Sequence, residues 1–198
     1  GSYTVKLRTT DDDGATDVVT KNVEINDDPQ ADISSNSPVL TSNDFGLDAS
    51  GSTDTEDTTL SYDWDLDGDG SFNDATGSQP SKTEPDDGTF TVSVKVTDSE
   101  GATDTASTTV TVNNRNPAAS FTKSTSNKEL SVDATGSSDA DGTISNYEWD
   151  WTNDGTFEDS GSNLASTTHT YSSGGSYTAK LRVTDDDGAT NTVTKSIE

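Results

Sequence analysis

Three copies of one alternating segment, Gly1–Gly14, Gly88–Gly101 and Gly175–Gly188, begin 87 residues apart along the chain. In the middle copy Phe90, Val92, Val94 and Val96 take every second position, the period of a half-buried β-strand whose side chains alternate between core and solvent. An acidic turn ending in Gly follows, then a second alternating run carrying Ala106, Val110 and Val112, or Val193 and Ile197 in the last copy. Each copy therefore predicts a strand–turn–strand hairpin. Self-similarity at this period predicts a tandem array of small units.

That pattern has to be weighed against composition. Leu, Ile, Val and Phe supply only 30 of 198 residues and the net charge is -26, a balance that by itself predicts disorder. Strict alternation, with Trp64 and Trp149 at matched places in the repeat, overrides that prior and predicts thin but ordered cores. The units are residues 1–26, read as the C-terminal hairpin of a preceding repeat in a longer array, followed by complete domains at 27–114 and 115–198. An alternative for residues 1–26 is a hairpin donated to the sheet of another molecule.

The charge also limits partners. With 37 Asp and Glu against 11 Lys and Arg, there is no basic footprint for nucleic acid or an anionic membrane. No apolar run is long enough to span a bilayer, so no direct membrane insertion is expected. Cys is absent, which removes disulfide staples and thiolate metal sites. Two readings of the acidity overlap: a surface adapted to high salt, where repulsion is screened within about 3 Å at 1 M, and a calcium-dependent surface protein.

Between the hairpins, matched apolar positions run in order. Ala31 and Ile33 match Ala119 and Phe121; Phe45, Leu47 and Ala49 match Leu130, Val132 and Ala134; Tyr62, Trp64 and Leu66 match Tyr147, Trp149 and Trp151. Short strands, turn signals and no helical period give an all-β fold, two tandem immunoglobulin-like β-sandwiches with a Trp pinning each pair of sheets.

Tyr62-Asp-Trp-Asp-Leu66 and Tyr147-Glu-Trp-Asp-Trp151 resemble the Tyr-x-Trp-Asp signature of PKD (polycystic kidney disease-type) domains. Ala49–Asp54, Ala134–Asp139, His169-Thr-Tyr171 and the Gly-x-Tyr-Thr hairpin resemble further motifs of that family, in the same order. Two departures stand out: the loop after Trp-Asp is longer and more acidic, and Thr83-Glu-Pro85 replaces His-Thr-Tyr in the first domain. The resemblance implies an extracellular module, and implies that calcium can sit at the end of the sandwich where the first strand starts.

The candidate sites are acidic. Asp65, Asp67 and Asp69 fall at positions 1, 3 and 5 of a loop with Gly70 at position 6, the opening of an EF-hand-type calcium loop. Thr76 stands where the bidentate Glu belongs, and Asp74 is a substitute. The second domain offers Asp150, Asp154, Glu158 and Asp159 but has Thr152 at position 3. With no Lys or Arg nearby in sequence, these carboxylates repel unless a cation lies among them. The competing reading is a solvated acidic turn. A second candidate set, at the opposite end of each sandwich, is Asp27, Asp28, Asp54 and Asp57, with Asp139 and Asp141 in the second domain; the same segments also carry Glu56, Asp98 and Glu100, and Asn116, Asp185, Asp186 and Asp187. His169 and Trp151 read as packed core or strand residues, although an exposed Trp151 could stack on a sugar ring. No motif places a nucleophile beside His169, so no enzyme activity is expected.

The function expected is a non-catalytic extracellular structural or adhesive array, a stalk, fibre, filament or surface-layer component of a haloarchaeal surface protein, with Ca2+ as a structural cofactor. Its partners are the neighbouring repeats of the same chain, and like chains in a filament or surface layer. The alternatives are an accessory module of a secreted hydrolase that binds polysaccharide or a cell-surface protein, and a filament subunit that donates its N-terminal hairpin.

Overall fold

The computed structural model describes residues 1–198 and contains strands, turns and bends with no helix. It divides into two compact units. One holds Gly1–Val39, Asn43–Thr83 and Gly88–Val112; the other holds Leu40–Ser42, Glu84–Asp87 and Asn113–Glu198.

Strands β1 (Ser2–Thr10) and β2 (Thr16–Glu24) form a hairpin that pairs with no other strand. The rest of the first unit is a sandwich. One sheet has the order β4-β10-β9-β6-β7, built from Val39–Leu40, Thr103–Asn113, Gly88–Thr97, Ser61–Asp65 and Ala75–Thr76. The other is β3-β5-β8, built from Ser34–Ser35, Asp44–Asp48 and Ser81–Thr83. Between them lie Phe45, Leu47, Ala49, Trp64, Leu66, Val92, Val94, Val96, Val110 and Val112, all buried. The predicted alternation is observed: along β9 the Val side chains point inward while Ser93, Lys95 and Thr97 stay half-exposed.

The second unit repeats the plan with a four-stranded sheet, β14-β13-β16-β17, over a three-stranded one, β11-β12-β15. The first comprises Asp159–Gly161, Ile144–Asp150, Tyr177–Asp185 and Thr190–Ile197; the second comprises Thr122–Ser126, Glu129–Asp133 and Ser166–Thr170. The aligned hairpins differ in rank. β10 is flanked by β4 and buries Val110 and Val112, whereas β17 is an edge strand that buries only Ile197 fully. The difference arises because the Val39–Leu40 pairing that flanks β10 has no counterpart in the second unit.

Each Trp anchors its sandwich through the ring nitrogen as well as the ring. Trp64 Nε1 donates to Gly77 O at 2.7 Å and Trp149 Nε1 to Leu164 O at 3.0 Å. Buried indoles need such a partner, since an unmet N–H in a core forfeits its hydration. Trp151, which could have been an exposed sugar platform, is 1% exposed. It stacks on Trp149 at 5.1 Å and on His169 at 4.7 Å.

All three hairpins share one turn. The first Asp of the acidic run closes it by accepting the N–H four residues on: Ala15 to Asp11, Ala102 to Asp98 and Ala189 to Asp185, at 2.7, 2.8 and 2.7 Å. The Gly before each Ala has φ of 86°, 94° and 90°, a left-handed conformation that a Cβ would oppose.

Candidate cation sites

The loop after Trp64 folds around one buried carboxylate. Asp65 ends β6, and its two oxygens accept the N–H groups of Gly68 at 2.7 Å and Gly70 at 2.9 Å. Asp74 returns to the strand, its N–H donating to Trp64 O at 3.0 Å while its Oδ2 accepts Leu66 N–H at 2.7 Å. Carboxylate oxygens of Asp65, Asp67 and Asp74 lie within 4.8 Å of one another. Asp69 is not among them; its Oδ1 accepts Ser71 N–H at 2.6 Å. The first loop thus gathers three of the four expected residues.

The second loop gathers a different three. Oxygens of Asp150, Asp154 and Glu158 lie within 4.8 Å of one another. Asp150 is buried and accepts N–H groups from Thr152, Asp154 and Gly155 at 3.3, 3.2 and 3.0 Å. Glu158 does here what Asp74 does in the first loop: its N–H donates to Trp149 O at 2.9 Å and its Oε2 accepts Trp151 N–H at 3.1 Å. The pairing is one residue out of step with the ungapped alignment, since Trp64 faces Ala75 but Trp149 faces Asp159. Asp159 is thereby turned to Trp151 Nε1, at 2.8 Å. The Thr156 N–H holds the Asp154 carboxyl below the usual range.

One assumption about the first loop fails in space. Lys82, on β8 and distant in sequence, donates from Nζ to Leu66 O at 2.9 Å. Part of the loop's negative charge therefore has a cation beside it from the protein itself.

At the opposite end of the first unit, the segment before β3, the β5–β6 loop and the β9–β10 turn meet. Asp57 Oδ2 accepts Ser99 N–H at 2.7 Å, and Asp98 Oδ2 accepts Asn26 Nδ2 at 2.7 Å. Oxygens of Asp57, Asp98 and Glu100 lie within 4.8 Å of one another. Asp54 Oδ1 caps Glu56 and Asp57, while its Oδ2 is buried without a partner. Asp27 and Asp28 are exposed and outside the cluster. The hydrogen bond from Asn26 lowers the Asp98 pKa first, over the opposing effect of burial; the Ser99 N–H does the same for Asp57. Asp98 and Glu100, carried by the β9–β10 turn that the sequence placed at this end, complete the cluster.

In the second unit Asp139 Oδ2 and Asp141 Oδ1 are buried without partners. Burial raises the Asp139 pKa, and the neighbouring Asp141 raises it further. Burial also pushes Asp141 up, but hydrogen bonds from the Thr41 hydroxyl and the Arg115 N–H, the latter at 2.9 Å, outweigh it and leave its pKa lowered. Asn114 Nδ2 donates to Asp185 at 3.0 Å, repeating the Asn26–Asp98 link.

Both ends can hold a hard cation in chemical terms: oxygen ligands, several charges, and backbone N–H groups that fix the carboxylates. The Asp65 and Asp150 carboxylates already accept two and three backbone hydrogen bonds respectively.

A profile of the PKD domain matches residues 26–112 and 114–198. Collagenase ColA of Clostridium perfringens is 45% identical over 71 residues, which is 36% of this chain and 6% of the collagenase. This chain therefore corresponds to a small part of that relative's length. The PKD1 domain of Vibrio anguillarum Epp is 35% identical, with 43% of this chain and 94% of that one covered at a TM-score of 0.36. The PKD1 domain from Vibrio cholerae metalloprotease PrtV is 34% identical, with 42% and 95% covered and a TM-score of 0.36.

Proposed function

Because this chain belongs to the PKD domain family, we propose that it is a non-catalytic, extracellular, structural and adhesive segment of a secreted protein. The observation that carries the reading is where the apolar residues go. All three Trp residues lie inside the two sandwiches, at 0, 0 and 1% exposure, while a net charge of -26 covers the outside. Such units act as spacers whose acidic surface keeps the array hydrated and soluble. Calcium held by Asp65, Asp67 and Asp74, and by Asp150, Asp154 and Glu158, stiffens the loops.

Thermal unfolding in chelator, then in millimolar calcium, each at low and at multimolar salt, tests this. A cation that binds only the folded state adds about 2.7 kcal/mol at a hundredfold excess over Kd, and Asp67→Ala with Asp74→Ala removes the first-unit share. Stabilisation by salt alone, untouched by those substitutions, would leave the carboxylates as a salt-adapted surface and end the calcium assignment.

The similarity to a collagenase and a metalloprotease favours a second reading, an accessory module that helps a secreted hydrolase engage its substrate. Co-sedimentation with insoluble collagen or polysaccharide separates the two. Saturable retention at physiological salt supports the accessory module, and its absence supports the spacer.

A further inference from the structure

Asp is followed by Gly repeatedly in this chain, and an Asp–Gly step is chemically labile. The Gly amide nitrogen can close on the Asp side-chain carbon, because no Cβ on the second residue stands in the way. A hydrogen bond that holds the amide N–H, or one that holds the carboxyl, opposes that approach. In the loop after Trp64, Gly68 and Gly70 donate to Asp65 at 2.7 and 2.9 Å. In the matching loop Gly155 donates to Asp150 at 3.0 Å. Gly88 is held inside β9, opposite Val112. The step at Asp141 is held from the other side, since that carboxyl accepts the Thr41 hydroxyl and the Arg115 N–H.

The three hairpin turns differ at this one point. In the first, Gly14 N–H donates to Asp11 O at 3.2 Å. In the middle one, Gly101 N–H donates to Asp98 Oδ1 at 2.7 Å, and the residue before it is Glu100. In the last, Ala189 N–H and O both bond to Asp185, at 2.7 and 3.0 Å, but Gly188 N–H makes no hydrogen bond. The Asp187 carboxyl makes none either, and both residues are exposed. Water therefore reaches both reacting groups, and neither has a partner to give up.

We propose that Asp187–Gly188 is a site of spontaneous covalent modification, where the turn rearranges through a succinimide to isoaspartate. The Gly188 nitrogen bonds to Asp187 Cγ, and one carboxyl oxygen leaves as water with the amide hydrogen and a solvent proton. Water then adds to the ring at the main-chain carbonyl and breaks its bond to the Gly188 nitrogen. The chain now runs through the Asp187 side chain and is one methylene longer, and the freed main-chain carbonyl has become a carboxylate. No oxidant, reductant or enzyme enters the balance. The extra methylene falls inside the turn that Asp185 and Ala189 close. That turn sets the register of β17, an edge strand held by β16 alone, with Ile197 buried near its far end. Lengthening the turn loosens β17 and lowers the stability of the second unit.

The test ages the full chain in its folded state at neutral pH. Isoaspartate is detected by methyl transfer from S-adenosylmethionine with an isoaspartyl methyltransferase, and is located by mass spectrometry of the peptides. The signal is expected in the peptide that carries Asp187, ahead of those that carry Asp13, Asp67 and Asp154. Asp187→Glu is expected to abolish it, because ring closure from Glu needs a larger ring that forms far less readily. That variant keeps the turn, since Glu100–Gly101 stands there naturally in the middle copy. The second unit's melting temperature is expected to fall in the aged chain and to hold in the aged variant. Three outcomes overturn the proposal. One is no isoaspartate in the folded chain, with the signal confined to samples aged in denaturant. Another is equal accumulation at Asp13 and Asp187, which means that the free Gly188 amide does not select the site. The third is a signal that persists in Asp187→Glu, which places the reaction at another residue.

Discussion

The two sandwiches share a plan and differ in how they fill it. The first packs one indole among Val, Leu and Phe. The second runs a continuous aromatic row, Phe121 edge-on to Trp149, then Trp149, Trp151 and His169 stacked, then Tyr171 and Tyr177. The row is possible because β15 spans five residues and carries His169, with Tyr171 following it, where the three-residue β8 ends at Thr83 before Glu84 and Pro85. A Pro cannot donate to a ladder and commonly ends a strand. The difference teaches that the strand order depends on the alternation and the central Trp, while the sheet opposite that Trp can be rebuilt.

The comparison breaks most visibly at the two central indoles. Trp149→Ala and Trp64→Ala are each expected to cost about 3–5 kcal/mol, the former more, since Trp149 also loses two aromatic neighbours. Calorimetry should show each substitution lowering its own unit's transition. Equal losses from both units in either variant would mean that the sandwiches do not fold as separate bodies.

Tyr171→Phe sharpens the comparison, because the first unit has Pro85 near that place. The Tyr171 hydroxyl donates to Trp151 O at 2.9 Å in a buried setting, and its removal should cost about 1 kcal/mol, read as a lower urea midpoint for the second unit alone. An unchanged midpoint would mean that water replaces the hydroxyl.

Acid separates the units by sign. Asp48 and Asp133 are lowered alike, by hydrogen bonds from Ser50 and Thr135; their contribution is present above the unfolded pKa and lost as pH falls through the folded one. Asp139 is raised, by burial and then by Asp141, so its protonated form favours folding at low pH and that advantage disappears as pH rises through its folded pKa. In chelator, Asp139→Asn should therefore raise the second unit's melting temperature near neutral pH, with the gain shrinking toward pH 3.8, the ordinary Asp value. A gain that persists at lower pH would point to a cause other than charge.

The smallest contrast lies on the surface. Arg182→Ala removes a two-pronged contact to Glu148 and Lys95→Ala a single 3.4 Å contact to Asp63. Losses of about 0.2–1 kcal/mol are typical of such exposed pairs, the Arg nearer the upper end. Equal effects in chemical denaturation would show that the fork adds nothing.

These contrasts also mark what the sequence alone makes legible. Period-two alternation located the long hairpins, and the matched Trp residues located the cores, because both signals are local and repeat. Membership of the candidate sites was less legible. Asp159 left its cluster because a single-residue shift in pairing hands its place to Glu158, and an ungapped alignment does not carry that shift. Lys82 reached the Asp65 loop through the β5–β8 pairing, a long-range contact that sequence proximity could not supply. Asp69 accepts the Ser71 N–H, a bond the Asp-x-Ser spacing foreshadows, and lies outside the cluster.

The stacked pair Trp149 and Trp151, 5.1 Å apart with planes 2° from parallel, has a consequence for observing the molecule. Two indoles held that close couple their electronic transitions, so the second unit should carry a near-ultraviolet dichroism that a lone indole lacks. Trp64 sits alone in the first unit and reports there by emission. The chain thus contains two spectroscopic gauges, one for each sandwich, and the order in which the units open can be followed without attaching a label.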